Sequence, residues 1–374
     1  MEVRPANPRE IEVWDDLVVT PGGGHVYQSM AWARHRSAAG WRPHHLVAAD
    51  GSAALALERR WPLLGGGSAY IPRGPIPAGD AGAMARRLAS FGGWLADHGI
   101  DVVAADAEIE AASGYPALIR AEGFHPIEEI QPSRHKLALP LGHGADEAGV
   151  LAGVAKTTRQ RIRAAERAGT IVVRHDRSRG AEGGPGEGFA APTEDAGVAL
   201  DRFYDLLLET GERRRFAFGP RAGFVAWWGA ALAAGWLVLL EARTETGEPL
   251  AGLVLYRHGG RLSTVHSGDH AATRREHPGA LHLLRWRAIQ LAVREGCAEM
   301  DLGGVDVPGA RRPPLDGEPM FGLYEHKRSF GATWVELAGA HERVIRPRRY
   351  ALGRAIARLA RVARPPAGRP SGAE

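Results

Sequence analysis

The feature that most constrains this chain is a pattern of punctuation that occurs twice. In the first half, Ala81 to Asp97 carries Met84, Leu88, Phe91 and Leu95 at helical spacing, stops at Gly99, and runs into Ile100–Ala105, which ends on Asp106. In the second half, Ala280–Glu295 stops at Gly296 and feeds Ala298–Leu302, which carries Asp301. Ahead of each helix lie three strand-sized runs separated by turn residues. They are His45–Ala49, Ala53–Trp61 and Ala69–Arg73 in the first half, and Trp236–Arg243, Leu250–His258 and Arg261–Ser267 in the second. Helical segments precede both sets: residues 9–40, then Phe203–Glu209 and Ala222–Ala234. A helix–Gly–strand unit closes each set, Tyr115–Glu122 with Gly123, and a helix opening at Phe321 with Gly331 and Thr333–Leu337. Two tandem α/β domains of one architecture are the natural reading.

A chain of 374 residues is long enough for each half to bury its own core. The pattern predicts a first domain over 1–143 and a second over 144–343, with a helix over 344–364 packing back on the first. Ala145–Ala168 reads as one helix. Residues 177–195 are rich in Gly, Pro and acids and read as a mobile loop, and 365–374 as a disordered tail. The N-terminus shows no basic segment followed by an apolar one, and no run approaches 18 apolar residues, so a cytoplasmic protein is expected. A single cysteine, Cys297, excludes an internal disulfide and a Cys-based zinc site.

Charge narrows the chemistry. Net charge is only +4, but the pI near 9.4 suits an anionic partner such as phosphate, nucleic acid or a membrane surface. Of 47 basic residues only Lys136, Lys156 and Lys327 are lysines. Lys327 lies in the FGLYEHKRSFGATWVELAG stretch, either as a surface lysine on a helix or where a compact, rotatable ammonium is wanted. Lys156, Arg159, Arg163 and Arg167 share one helical face ~16 Å long, which is either a solvated face or a track for a phosphodiester backbone. In Tyr70-Ile71-Pro72-Arg73-Gly74-Pro75, the Gly-Pro turn either projects Arg73 into a cleft, where it would bind phosphate or carboxylate, or forms a structural corner with a surface arginine. Arg213-Arg214-Arg215-Phe216 clusters guanidinium groups that repel one another unless they face an anion. In the final helix, Leu352, Ile356, Leu359 and Ala363 share one face and Arg354, Arg358, Arg361 and Arg364 the other. Docking on its own domain is the default for such a helix, an anionic membrane the alternative.

The order of helices, three-strand meander, helix and further strands matches the GNAT acyltransferase fold. That fold grips the coenzyme A pyrophosphate with a glycine-rich loop at a helix N-terminus. Neither half offers a competent one: Pro278 replaces a glycine in Arg275-Glu276-His277-Pro278-Gly279-Ala280, and Asp80 puts an acid in the first-half loop. No cofactor is therefore expected. HExxH, P-loop and metal-ligand patterns are absent, so no metal is expected either.

Taken together, QSMAWARHRSAAGW, YIPRGPIP, KTTRQRIRAAERAG, ETGERRRF, ALHLLRWRAIQLAVREGCAEMDLGG and YEHKRSFGATWVELAG resemble the FemA/FemB/FemX (FemABX) peptidoglycan aminoacyltransferases over about residues 26–350. The resemblance implies twin GNAT-like domains and no coenzyme. It implies transfer of an amino acid from aminoacyl-tRNA to the side-chain amine of the stem peptide of a peptidoglycan precursor, UDP-MurNAc-peptide or lipid II. Arg215 and Ala222 are too close for a long helical arm, so the compact type without a coiled-coil arm is expected. Lys327, with Phe330 and Gly331, matches the family's Phe-Lys-x-x-Phe-Gly motif and becomes the catalytic candidate. His326 replaces the aromatic residue that precedes the lysine. Arg36, Arg73, Asp106 and Arg213 become substrate-binding candidates, together with Tyr70 and His266. Lys156, Arg159, Arg163 and Arg167 become candidates for tRNA, and 346–364 for peripheral contact with the inner face of the plasma membrane. An acyl-CoA-dependent N-acyltransferase and a non-catalytic module that binds precursor or membrane are the competing readings.

Overall fold

The computed structural model describes every residue except 78, 132–133, 143, 178–185, 215–217, 275, 306, 308–311 and 363–374. The chain forms two compact units, one comprising Met1–Arg134 with residues 336–362, the other His135–Val335. The expected tail 365–374, and most of the glycine-rich part of the loop 177–195, lie outside the described residues.

The first unit runs β1 (Val3–Pro5), α1 (Pro8–Glu12), α2 (Trp14–Val18), α3 (Met30–Ala38), β2 (Arg42–Ala48), β3 (Ala53–Arg60), β4 (Gly67–Ile71), α4 (Ala81–Asp97), β5 (Val102–Ala105), α5 (Tyr115–Ala121) and β6 (His125–Pro126). The second runs β7 (His135–Pro140), α6 (Glu147–Gly153), α7 (Lys156–Arg167), β8 (Ile171–Asp176), α8 (Ala196–Arg214), α9 (Arg221–Ala233), β9 (Leu237–Arg243), β10 (Pro249–His258), β11 (Arg261–Asp269), α10 (Ala280–Arg294), β12 (Glu299–Asp301), α11 (Phe321–Arg328) and β13 (Thr333–Glu336). The chain then returns to the first unit with β14 (His341–Val344) and α12 (Pro347–Val362).

The two sheets have one topology. The first has the order β1-β2-β3-β4-β5-β14-β6 and the second β8-β9-β10-β11-β12-β7-β13. Four strands form an antiparallel meander, and a helical crossover then adds the fifth parallel to the fourth. The crossover helices bury the apolar stripes the sequence shows: Met84, Leu88, Phe91 and Leu95 on α4, and Leu283, Leu284, Ala288, Ile289 and Leu291 on α10. Gly99 and Gly296, at positive φ, end both helices at the point where the chain turns into the fifth strand.

The sixth position of each sheet departs from expectation. β7 follows β6 in the chain but pairs with β12 of the second sheet, Leu139 opposite Met300. β14 follows β13 but pairs with β5 of the first, Val344 opposite Val102. The second unit therefore begins at His135 rather than 144, and residues 336–343 fall in the first. The helix expected over Ala145–Ala168 is two helices. Val154 is extended and buried between them, and the Ala155 N–H donates to the Ser329 carbonyl at 2.8 Å, anchoring the start of α7 on the end of α11. The described end of the loop 177–195 is tied down, because Ala190 exchanges backbone hydrogen bonds with Val172 and Arg174 of β8.

Candidate functional site

In the second unit, β11 and β12 run parallel as far as Ser263 opposite Asp301, and there they part. A bulge at Val265 lets β11 continue along β10, with Leu255 facing Thr264 and Val254 facing His266. β12 turns away at Gly303, whose φ is +77°. The Asp301 carboxylate accepts the Gly303 N–H at 2.7 Å and holds that turn.

Lys327 reaches into this fork from α11. It is buried, 6% exposed, and its Nζ donates to the carbonyls of Gly303 at 2.9 Å and Gly304 at 2.7 Å. The surface reading of this lysine is thus overturned. An ammonium so enclosed needs oxygen acceptors on its protons, and the glycine turn supplies two. His135 borders the same turn: its Nε2 accepts the Val305 N–H at 2.7 Å, and its ring stacks on Trp334 at 3.6 Å. Burial, then the Lys327 charge, pulls His135 down to about 4, so it is neutral at pH 7.

A second buried cation lies alongside. Arg285 of α10 is fully buried; its Nη1 donates to Thr264 Oγ1 at 3.4 Å and its Nε to His326 Nε2 at 3.2 Å, while Nη2 has no hydrogen-bond partner among the described residues. Burial lowers it to about 10, against the pull of Asp301. Arginine only donates, so His326 carries its proton on Nδ1 and donates to His282 Nε2 at 3.2 Å, which also accepts from Arg161 Nη1 at 3.2 Å. Burial pulls both histidines down, His282 to about 4, and keeps them neutral. His326 sits edge-on to Phe330 at 5.5 Å, so it retains a ring contact where the family motif has an aromatic.

Sequence reasoning missed Arg285, His135 and His282. Arg285 left a signal: it stands one turn before Ala288 and Ile289 on the buried side of an apolar helix, where a charge is costly. His135 left none, since its role depends on where β7 pairs.

The other second-unit candidates lie in different surroundings. The His266 ring is packed among Phe218, Phe224 and Trp228, 5.7–5.9 Å away, and burial brings it to about 4. Arg213, on the last turn of α8, pairs with Glu209 at 2.8 Å and Asp269 at 2.9 Å, so its charge is already matched. Arg215 and Phe216 of the arginine run lie outside the described residues. On α7, Lys156, Arg163 and Arg167 are exposed opposite the buried Thr158, Ile162 and Ala165. Arg159 departs from the stripe: its guanidinium caps α6 on the carbonyls of Ala152 and Val154.

In the first unit, Tyr70, Arg73 and Asp106 converge at the C-terminal ends of the parallel pair β4 and β5. Asp106 is 2% exposed and accepts the Tyr70 hydroxyl at 2.9 Å and the Arg73 backbone N–H at 2.8 Å. Gln131 donates to the Tyr70 oxygen at 3.2 Å. Burial raises the Asp106 carboxyl above the usual range and the Arg73 charge opposes it. Arg73 does not project into an open cleft. It takes a left-handed φ of +52° and folds back between Asp106 and Glu108, its Nε 3.7 and 3.8 Å from their carboxylates. Arg36 is flanked by the rings of Trp32 and Trp41, 5.3 and 5.2 Å from its guanidinium carbon.

The helix N-termini bear on the cofactor question. The Asp80 carboxylate caps α4 by accepting the Ala83 N–H at 2.8 Å and sets a negative charge at that helix N-terminus. Gly279 begins α10 against the Arg161 carbonyl, which an added Cβ would meet at 2.3 Å.

Residues 152–328 match the sequence family described as the acetyltransferase (GNAT) domain. No curated protein matches the chain. Among solved structures, FemX superposes with a TM-score of 0.73 at 19% identity, covering 94% of this chain and 99% of that one. L-PGS from Bacillus licheniformis gives 0.52 at 13% identity, over 94% and 97%. A conserved protein from Bacteroides thetaiotaomicron VPI-5482 gives 0.53 at 10%, over 91% and 98%. The chain thus has the fold of FemX, two tandem GNAT-like acyltransferase domains, over nearly its whole length.

Proposed function

We propose that this chain is a FemABX-type aminoacyltransferase, moving an amino acid from aminoacyl-tRNA to the side-chain amine of a peptidoglycan stem peptide on UDP-MurNAc-peptide or lipid II. The observation that carries the reading is the buried ammonium of Lys327, set where the parallel strands β11 and β12 part. The FemX-like fold and the run of motifs add to it.

The reaction is aminolysis of an activated ester. The amine nitrogen bonds to the ester carbonyl carbon, the bond from that carbon to the ribose oxygen breaks, and the ribose hydroxyl leaves with the proton. An amine that arrives neutral needs no strong base, so positioning and stabilisation of the developing oxyanion dominate. Lys327 supplies that charge. The Gly303 and Gly304 carbonyls fix its direction, and burial keeps competing water away. In the first unit, Arg36, Tyr70, Arg73 and Asp106 are the residues we assign to the precursor; in the second, Arg213 and His266 are the candidates for substrate contact. Lys156, Arg163 and Arg167 contact tRNA phosphates, with Arg159 holding their helix in place.

The test is transfer of a labelled amino acid from total charged tRNA to a panel of UDP-muropeptides and lipid II. Lys327→Met is expected to abolish transfer while leaving the circular dichroism spectrum intact. Unchanged turnover would remove Lys327 from the mechanism. Thermal stabilisation by acetyl-CoA would move the chain to the acyl-CoA-dependent class.

A further inference from the structure

We propose that the first unit docks on an anionic lipid bilayer through the tip of the β3–β4 hairpin and the solvent face of α12. The inference goes beyond the transfer reaction and does not depend on it.

The hairpin tip presents an apolar side chain to water. Leu63 is 98% exposed, in a left-handed conformation at φ +66°, and Arg59 and Arg60 just before it are exposed. A leucine held out in this way gains nothing from its own fold.

The same hairpin receives α12, and it does so on the wrong side for an ordinary amphipathic helix. Arg349 forks onto the buried Asp101 at 2.6 and 2.8 Å, and Arg346 donates to the Ile100 carbonyl at 2.9 Å. Trp61 donates its indole N–H to Asp101 at 2.9 Å, with the Tyr350 ring 6.1 Å away. Gly353 lies so close to Trp61 that an added Cβ would fall 2.5 Å from the ring. The helix is therefore seated by arginines, a tyrosine and a glycine. Leu352, expected on the docking face, is 50% exposed; Ala351 and Ala355 are exposed too, as are Arg348 and Arg354. Leu352 thus points outward beside the exposed Arg348 and Arg354, while Ile356 is half-buried.

An apolar tip with a cationic border suits shallow insertion beneath lipid phosphates. A phosphodiester backbone alone would give the leucines no partner. No helix among the described residues is long and apolar enough to cross a membrane, so the contact is peripheral.

The experiment is co-sedimentation of the full chain with phosphatidylcholine vesicles, with and without phosphatidylglycerol, at low and high salt. Binding is expected to the anionic vesicles only and to weaken with salt. Leu63→Ser with Leu352→Ser should lower partitioning roughly tenfold. Arg348→Glu with Arg354→Glu should remove the salt-sensitive part, with circular dichroism confirming the fold of both variants. Transfer to a soluble acceptor should be unchanged in the leucine variant, which separates this surface from the reaction. Absence of binding to either vesicle, or binding that both variants retain, overturns the proposal. So does a dimer in the wild type that the leucine variant dissolves, which would assign the surface to a second copy.

Discussion

Glu241 shows how single side chains in this protein acquire their character from what surrounds them. It is 1% exposed on β9 and accepts from His175 at 2.8 Å, from Arg202 at 2.8 Å and from Arg243 at 2.6 Å. His175, Glu194 and Glu241 have the ligand types and spacing of a metal site, but Arg202 and Arg243 already occupy both carboxylates. Burial raises the Glu241 carboxyl, and its hydrogen bonds to His175 and the two arginines outweigh that and hold it below the usual glutamate range. A depressed folded value means stability that is present above the unfolded pKa of about 4.3 and lost as pH falls through the folded value. Glu241→Gln should therefore cost about 3 kcal/mol at pH 7, because it strands two guanidinium groups. The deficit should narrow as the pH falls below the unfolded value, where the unfolded wild-type carboxylate takes up a proton, and close as the pH passes through the lower folded one. Urea unfolding of both proteins at the two pH values checks the sign, and a pH-independent difference would refute the linkage. Legibility at this scale was uneven. Lys327 stands out because lysine is rare here and Arg73 because of the turn that carries it, whereas the role of Asp106 came from the family resemblance. The direction of Arg73, and the capping role of Arg159, depend on acceptors that spacing does not reveal.

At the scale of elements, the fork between β11 and β12 is the feature on which the candidate chemistry rests, and Gly303 sets its width. Its positive φ and the close approach of its neighbours both exclude a side chain: an added Cβ would meet the Thr264 carbonyl oxygen at 2.8 Å and Lys327 Nζ at 3.2 Å. Gly317 offers a matched control, with φ +80° and nothing within 4 Å. Gly317→Ala should cost only the left-handed backbone penalty, about 1 kcal/mol, and leave transfer unaffected. Gly303→Ala carries that penalty as well as a displaced fork, so it should lose about 2 kcal/mol or more and most of the transfer rate with Lys327 still present. Parallel rate and thermal-melt measurements on the pair decide the matter, and equal rates would detach the fork from the chemistry. Elements of this kind were largely readable in the chain. Helices announce themselves by apolar periodicity and end on glycines, which are local signals. The break at Val154 was hidden because it is made by Ser329, far away in sequence.

For the whole molecule, the exchange of sixth strands has consequences that the repeat alone did not suggest. The two halves repeat in sequence, but β7 and β14 each lie in the sheet that the repeat would not assign them. Local pattern marks residues 135–140 and 341–344 as extended without saying which sheet takes them, since pairing partners lie over a hundred residues away. One unit is therefore continuous and the other is not. Residues 135–336 contain all seven strands of the second sheet, including β7 between β12 and β13. Residues 1–134 lack β14, which fills an interior position between β5 and β6 and covers the edge of β5. A fragment of residues 135–336 should unfold cooperatively on its own, whereas residues 1–134 should expose an unpaired β5 edge and aggregate or stay partly folded. A fragment cut at 144 should lose β7 and behave as poorly as the first. Adding residues 337–362 to 1–134 through a flexible linker should restore cooperative unfolding, because β14 then reaches its place and brings α12 with it. Urea melts followed by circular dichroism and fluorescence test all four pieces. Independent folding of 1–134, or equal stability of the fragments starting at 135 and 144, would show that the sixth strands contribute little to either sheet.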